Sequence, residues 1–252
     1  MKKSMALVCS FLISVLATVL IPATSWAEAL PEFRPALIAN TKRSLINIID
    51  VQSLMKRGQG NATVMFSCLV SQLGVSFDGF YFRGTPGSEK LGMEVARRCH
   101  LAEFIPAVYK HNHVDVWING TVTFVIIDGK PHLRIYLNQE QADLLKGRDF
   151  VAPQFVISAG LSKFRGFRPP QKASNHEGIA VAAIEVDATG NVVHSRIAYE
   201  YPPNMGFGEE IAGRIRDAVF VPGFRGGHPV DSHIEWPVIY RVPGRSHPVK
   251  TG

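Results

Sequence analysis

The sequence predicts an α+β fold of two small tandem domains, each an antiparallel sheet packed against a helix. Three features predict it: a gap-free internal repeat, strands that alternate apolar and polar residues around turns, and one amphipathic helix in each copy. Without a 27-residue export segment, the 252-residue chain keeps 225 residues, enough for two domains of ordinary size.

The amino terminus has the three-part layout of a cleavable secretory signal. Lys2 and Lys3 supply positive charge, residues 5–21 form an uncharged and mostly apolar run, and Ala27 is a small residue before the cleavage position. We therefore expect residues 1–27 to be removed on export. An uncleaved membrane anchor is the alternative, although the run is short for a bilayer span of about 20 residues.

An internal repeat relates the two halves of the chain. A shift of 116 residues places residues 62–124 on residues 178–240 without an insertion, and 14 of the 63 positions are identical. Chance would give roughly four identities at ordinary residue usage. We therefore predict that one domain is duplicated.

Each copy of the repeat has the order strand, turn, strand, helix, loop, strand. One face of the first strand is apolar, and the helix carries apolar residues at four-residue spacing, as expected for one buried face of each. The predicted core residues are Val64, Phe66, Cys68, Val70, Leu91, Val95 and Cys99 in the first copy, and Ala180, Ala182, Ile184, Val186, Phe207, Ile211 and Ile215 in the second.

Further elements are expected outside the shared plan. Spaced apolar residues predict a helix within residues 34–56, and an Asp-Gly turn predicts an extra strand at residues 132–137, followed by a short helix at residues 139–146. The Asn119-Gly120 pair indicates either a chain reversal or a β-bulge.

The domain boundary is predicted at a segment rich in glycine, proline and polar residues. Residues 158–177 are interpreted as the linker, so the first domain spans residues 28–157 and the second spans residues 178–252.

The two cysteines that remain after export, Cys68 and Cys99, coincide through the repeat with Ile184 and Ile215. Both isoleucines lie on predicted core faces, so the two sulfurs should meet in one layer. An exported protein with an even number of cysteines favours a Cys68–Cys99 disulfide. A pair of buried free thiols that pack as small apolar side chains is the alternative.

Composition and motifs argue against several classes of protein. Lysine and arginine number 25 against 21 acidic residues after export, and they form no block or patch, so we expect no nucleic-acid binding. This mild surplus is compatible with peripheral contact with an anionic envelope surface. Nothing in the pattern indicates the oligomeric state.

No catalytic, phosphate-binding or Cys-x-x-Cys motif occurs, so we expect neither an enzyme nor a cofactor. An exported hydrolase with a site between the domains is the least favoured reading. His111 and His113 could face one way on an extended segment, but no third ligand follows, so we predict no metal site.

Two pairs of last-strand residues have both structural and functional interpretations. Asp115 and Asp231 coincide in the repeat and are predicted to make turn hydrogen bonds rather than to bind a ligand. Trp117 and Trp236 are predicted to pack in the core, with exposed binding anchors as the alternative.

The second copy follows a diffuse pattern: glycine and an alternating strand, an Asp-x-x-Gly turn, a second strand, a helix, Phe-x-Pro, a Gly-rich loop and Pro-Val before the last strand. This pattern resembles the carboxy-terminal domain of the TonB family over residues 178–241 and, through the repeat, more weakly over residues 62–127. The matching residues are Gly178, Val186, Asp187, Gly190, Val192, Phe220, Pro222, Gly223, Gly227, Pro229, Val230, Pro237 and Tyr240.

The resemblance implies a location in the periplasm of a Gram-negative bacterium and a protein or peptide partner of the outer membrane or periplasm. TonB domains hold an extended transporter peptide by strand addition at a sheet edge. The partner-binding residues implied in the last strand are Val230, Asp231, Ser232, His233, Ile234, Trp236, Val238 and Tyr240.

The sequence lacks the long Pro-rich arm that an energy transducer of this family needs. We therefore expect a non-enzymatic periplasmic protein of two TonB-like domains that binds a cell-envelope partner by edge-strand addition. An energy transducer, or a competitor for transporter peptides of the TonB system, is the alternative.

Overall fold

A computed structural model describes residues 29–139, 149–157 and 169–241 of the chain. The predicted signal, the short helix expected after residue 139 and most of the predicted linker lie outside these residues. The described part is α+β, with mainly antiparallel sheets and few helices, as predicted.

The first copy of the repeat and its flanks contain nine strands and three helices. They are β1 Phe33–Arg34, β2 Leu37–Ile38, α1 Leu45–Ile48, α2 Val51–Lys56, β3 Ala62–Val70, β4 Ser76–Gly84, α3 Glu89–Cys99, β5 Phe104–Ile105, β6 Ala107–Tyr109, β7 Asn112–Val114, β8 Val116–Ile127 and β9 Lys130–Tyr136.

The second copy and the segment before it contain eight strands, one α-helix and two short 3-10 helices (Gln171–Ala173 and Ile215–Asp217) in the described residues. They are β10 Phe150–Val151, β11 Gln154–Val156, β12 Gly178–Val186, β13 Val192–Tyr201, α4 Phe207–Arg214, β14 Phe220–Val221, β15 Gly223–Arg225, β16 His228–Val230 and β17 Ser232–Tyr240.

The two main sheets lie back to back with a helix on each outer side. One sheet has the order β14-β11-β8-β3-β4, with β9 also paired to β8, and the other has the order β13-β12-β17. The helices α3 and α4 cover the outer faces. Between the sheets, Phe82, Ile179 and Val181 form a separate buried cluster, against which Met65 and Phe80 pack.

The predicted core faces are confirmed in both copies. The helical stripes Leu91, Val95 and Cys99 and Phe207, Ile211 and Ile215 are fully buried, as are the strand residues that face them. The first half of β12 is also buried on its second face, where Ile179 and Val181 pack against the first copy, whereas Glu185 further along that face is exposed. Its near-continuous apolar run, typical of a strand covered on both sides, is the sequence signal for this second contact.

The repeat is visible in backbone detail. The pairing of β3 with β4 shifts register after Met65 and after Leu69, and the pairing of β12 with β13 shifts after Val181 and Glu185, each 116 residues later. A β-bulge sets the local bend of a strand and the direction of its side chains. Bulges at equivalent positions in the two copies therefore support a duplicated domain.

Hydrogen bonds at the turn between the first two strands of each copy also repeat. Gly74 and Gly190 both have positive φ, and each carbonyl accepts a hydrogen bond of 2.8 Å, from the amides of Phe104 and Phe220 respectively. Asp115 Oδ1 accepts from the amide of Gln72 at 2.7 Å, and Asp231 Oδ1 accepts from the equivalent amide of Ala188 at 2.8 Å. The prediction that these aspartates make turn hydrogen bonds is confirmed.

Three local predictions need correction or receive support. The helix expected within residues 34–56 is found only in its later part, as the two short helices α1 and α2, while β1 and β2 occupy the earlier part. Asn119-Gly120 is neither a reversal nor a bulge, because it lies within β8, whose register with β3 is continuous. The extra strand is confirmed as β9, which follows a turn at Asp128 and Gly129, both with positive φ.

The segment before the second copy pairs with both halves of the molecule. In β11, Phe155 lies opposite Trp117 of the first copy on one side and Phe220 of the second copy on the other. The buried Gln154 amide also donates to and accepts from the backbone of Ala36, at 2.8 and 2.7 Å. The strands β10 and β11 thus occupy in the second copy the places of β1 and β2 in the first.

The disulfide between Cys68 and Cys99 is not present; both cysteines are buried free thiols. They do lie in one layer, as the repeat predicts, and the Cys68 sulfur is 2.8 Å from Ser76 Oγ and 3.9 Å from the Cys99 carbonyl oxygen. Hydrogen bonding to Cys68, together with burial, raises the pKa of Cys99. The alternative reading, two thiols that pack in the core, describes the structure.

Candidate functional site

The last strand, β17, lies at the edge of its sheet in the described part of the chain. It pairs with β12 over nine consecutive residue pairs without a register shift. The other outer strand, β13, carries two register shifts, which disturb an edge and discourage further pairing. The regular edge of this sheet is therefore β17.

The side chains of β17 divide into a buried set and a partly accessible set. Ile234, Trp236, Val238 and Tyr240 lie in the core under α4. The Tyr240 hydroxyl donates to the Phe207 carbonyl at 3.1 Å, and burial raises its pKa. These four predicted partner-binding side chains are core residues, so they are not available to a partner.

The remaining predicted binding residues lie at the start of β17 and just before it. Asp231 and His233 are exposed, and Val230 and Ser232 are half-buried. Asp231 is engaged in the turn described above, and the Ser232 hydroxyl donates to the Val230 carbonyl at 3.2 Å. The predicted partner-binding residues thus lie on or just before one strand, but few of their side chains are exposed.

In the first copy, the edge equivalent to that of β17 is filled by other strands. The strand β9 pairs with residues 121–127 of β8, and β11 pairs with Val116 and Trp117. Through the repeat, the positions covered by β9 correspond to residues 237–243, of which the structure describes 237–241. No described strand pairs with this side of β17.

The middle of the β17 edge is held by two side chains of the first copy. Gln139 Oε1 accepts from the amide of Glu235 at 3.1 Å, and Asn119 Nδ2 donates to the Glu235 carbonyl at 3.5 Å. Because backbone groups alternate direction along a strand, residues 233, 237 and 239 also point outward. Pro237 has no amide hydrogen, which is a common feature of edge strands.

A cleft of about 450 Å³ opens beside the start of β17, between the two copies. Across it, Arg83 Nη1 forms a 2.5 Å ion pair with Glu235 Oε2. The lining residues are Met65, Arg83, Gln139, Phe150, Ala152, Ala183, Arg196, His233, Ile234 and Glu235. Of these, His233 and Ile234 belong to the predicted partner-binding set. The cleft itself was not predicted, because it exists only once the two sheets are packed.

The structure also gives the surroundings of His111 and of the two tryptophans. His111 is exposed, and its Nδ1 lies 2.8 Å from the Leu30 carbonyl oxygen. Within the described residues, no three histidine, cysteine or acidic side chains are arranged to hold a metal ion.

Trp236 packs in the core against Phe155, with ring centroids 4.3 Å apart, and Trp117 packs against Phe80 at 5.8 Å.

No family model, no curated protein and no solved structure significantly matches the chain. Among the helices of the described residues, none has the length and apolar character needed to cross a bilayer.

Proposed function

We propose that this is a non-enzymatic periplasmic binding protein that holds an extended segment of a cell-envelope protein as an added strand on β17. The observation that carries the proposal is the difference between the two copies: β9 fills the edge of β8, whereas no described strand fills the equivalent edge of β17. The first copy thus provides a template for the proposed complex.

The template specifies how the partner would bind. The strand β9 runs antiparallel to β8, with Thr121 opposite Tyr136 and Thr123 opposite Arg134. The equivalent positions on β17 are Pro237 and Ile239. Backbone hydrogen bonds from the outward groups of Ile239 would supply affinity, as in strand addition generally. This is also the mode of binding that the resemblance to the TonB family implies.

The outward amide of residue 239 provides the test. Ile239→Pro removes that amide hydrogen and blocks pairing, whereas Ile239→Val keeps it and trims the same half-buried side chain. Each variant and the wild-type protein is immobilised and incubated with detergent-solubilised envelope, and the retained proteins are compared by mass spectrometry. We expect proteins retained by the wild type and by Ile239→Val to be lost with Ile239→Pro.

Urea denaturation of both variants serves as the folding control. Identical sets of retained proteins for a folded Ile239→Pro and for Ile239→Val would refute strand addition at β17. If Ile239→Pro does not fold, Arg241→benzoylphenylalanine provides a second test, since photocrosslinking from this exposed position at the end of β17 must capture the same partner.

A further inference from the structure

The direction of the template strand connects the β17 edge to the cleft. β9 begins opposite Ile127 and ends opposite Thr121, so it runs toward the start of β8. A segment added to β17 in the same way would pass Ile239 and Pro237 and continue toward Glu235. The cleft would therefore receive the carboxyl-terminal part of that segment.

The cleft has an excess of positive charge. The ion pair of Arg83 with Glu235 is neutral, and Glu235 is the sole carboxylate among the described lining residues. Arg196, which projects from β13, has no ion pair among the described residues. Because a guanidinium stays protonated at physiological pH, Arg196 leaves the cleft cationic.

Gln139 adds an unused hydrogen-bond donor. Its Oε1 accepts from the amide of Glu235, which fixes the orientation of the side-chain amide and directs Nε2 away from that bond. Nε2 is buried and has no hydrogen-bond partner in the part of the chain that the structure describes. Buried donors are normally satisfied, so an acceptor is the group that this position lacks.

We propose that the cleft binds a carboxylate of the added segment, with Arg196 supplying the charge and Gln139 Nε2 a hydrogen bond. Charge-assisted hydrogen bonds to a carboxylate are among the strong polar contacts in proteins, and Arg presents its donors in a geometry suited to that group. The inference rests on the proposed strand addition. A terminal carboxylate and an Asp or Glu side chain share this chemistry.

Arrays of random ten-residue peptides test the proposal and separate these two sources. One array has free carboxyl termini, a second has amidated termini and no acidic residue, and a third has amidated termini with one Glu among the last three residues. Binding of fluorescently labelled full-length protein is measured on all three. We expect about tenfold stronger binding to one or both carboxylate-bearing arrays than to the neutral array.

Two cleft variants and one matched control complete the experiment. Arg196→Gln and Gln139→Leu should remove the carboxylate preference, whereas Arg216→Gln, an equal charge change at an exposed residue away from the cleft lining, should keep it. Equal binding to all three arrays, or an unchanged preference of Arg196→Gln for carboxylate-bearing peptides, would refute the carboxylate site but would leave strand addition standing. A wild-type protein that binds none of the arrays would count against strand addition itself.

Discussion

Asn119 and Glu235 are separated by 116 residues, the period of the repeat, and they contact each other: Asn119 Nδ2 donates to the Glu235 carbonyl at 3.5 Å. Contact between equivalent residues is the property of an isologous interface, in which the same surface of two units meets around a two-fold axis. Met65 and Val181, also 116 residues apart, belong to the same apolar cluster between the sheets. The two copies therefore pack like the subunits of a symmetric dimer joined in one chain.

Gly74→Ala and Gly190→Ala should destabilise the protein to a similar extent. Both glycines have positive φ, and an added Cβ would overlap the carbonyl of Phe104 or Phe220. We expect each substitution to lower the free energy of unfolding by roughly 3 kcal/mol, as measured by urea denaturation.

Gly129→Ala is the control for these variants. Gly129 also has positive φ, but nothing lies within 4 Å of the position of an added Cβ. Its cost should be limited to backbone strain, about 1–2 kcal/mol. Equal losses of unfolding free energy at all three glycines would show that the nearby carbonyl of Phe104 or Phe220 adds nothing to the destabilisation.

Glu94→Gln should destabilise the protein more than Glu210→Gln, its counterpart in the second copy. Glu94 is 3% exposed and accepts from Arg97 at 2.6 Å and Arg98 at 2.8 Å, whereas Glu210 pairs with Arg214 at 2.5 Å on a more exposed surface. We expect a loss of about 2 kcal/mol at Glu94 and under about 1 kcal/mol at Glu210 in denaturant titrations at pH 7.

The contribution of Glu94 should also depend on pH. Burial alone would raise its pKa, but hydrogen bonds from Arg98, Arg97 and the amide of Asp50 outweigh burial and lower it below the ordinary 4.5. A lowered folded-state pKa stabilises the protein above pH 4.5, and this contribution is lost as the pH falls through the folded-state value. The difference in unfolding free energy between wild type and Glu94→Gln should therefore shrink on acidification. A difference that grows would contradict a lowered pKa of Glu94 in the folded state.

The thiol state can be measured directly on the purified protein without reductant. We expect Cys68 and Cys99 both to react with Ellman's reagent in denaturant and essentially not at all in the native state, because both are fully buried. The protein is expressed without residues 1–27, so that Cys9 does not contribute. Cys99→Ala should leave one reactive thiol in denaturant. An unreduced wild-type protein with no reactive thiol in denaturant would show that the pair is oxidised.

Much of each copy could be predicted because its determinants are local or repeat along the chain. The helical stripe Leu91, Val95 and Cys99 is set by 3.6-residue periodicity, and the burial of Val64 and Phe66 is set by alternation along a strand. The short strands β1 and β2 could not be recognised, since two residues carry no period. Their partners, β6 and β5, lie more than 60 residues away.

The candidate site shows the same division. Its strand was predicted, but four of the side chains expected to meet a partner pack under α4 instead: Ile234, Trp236, Val238 and Tyr240. Arg83, Arg196 and Gln139 carry no local signal for a cleft. They come together only because the apolar second face of β12 packs against the first copy.

By itself, the sequence determined the duplication, the order of elements in each copy, the buried faces and the glycine turns, because these depend on periodicity and on backbone conformations available to few residues. The tertiary structure alone decided that the two sheets pack back to back. It also decided that β9 and β11 fill the edge of β8, whereas no described strand fills the edge of β17. It also decided that Cys68 and Cys99 remain thiols. These features depend on contacts between distant segments, for which a single sequence contains no period or spacing.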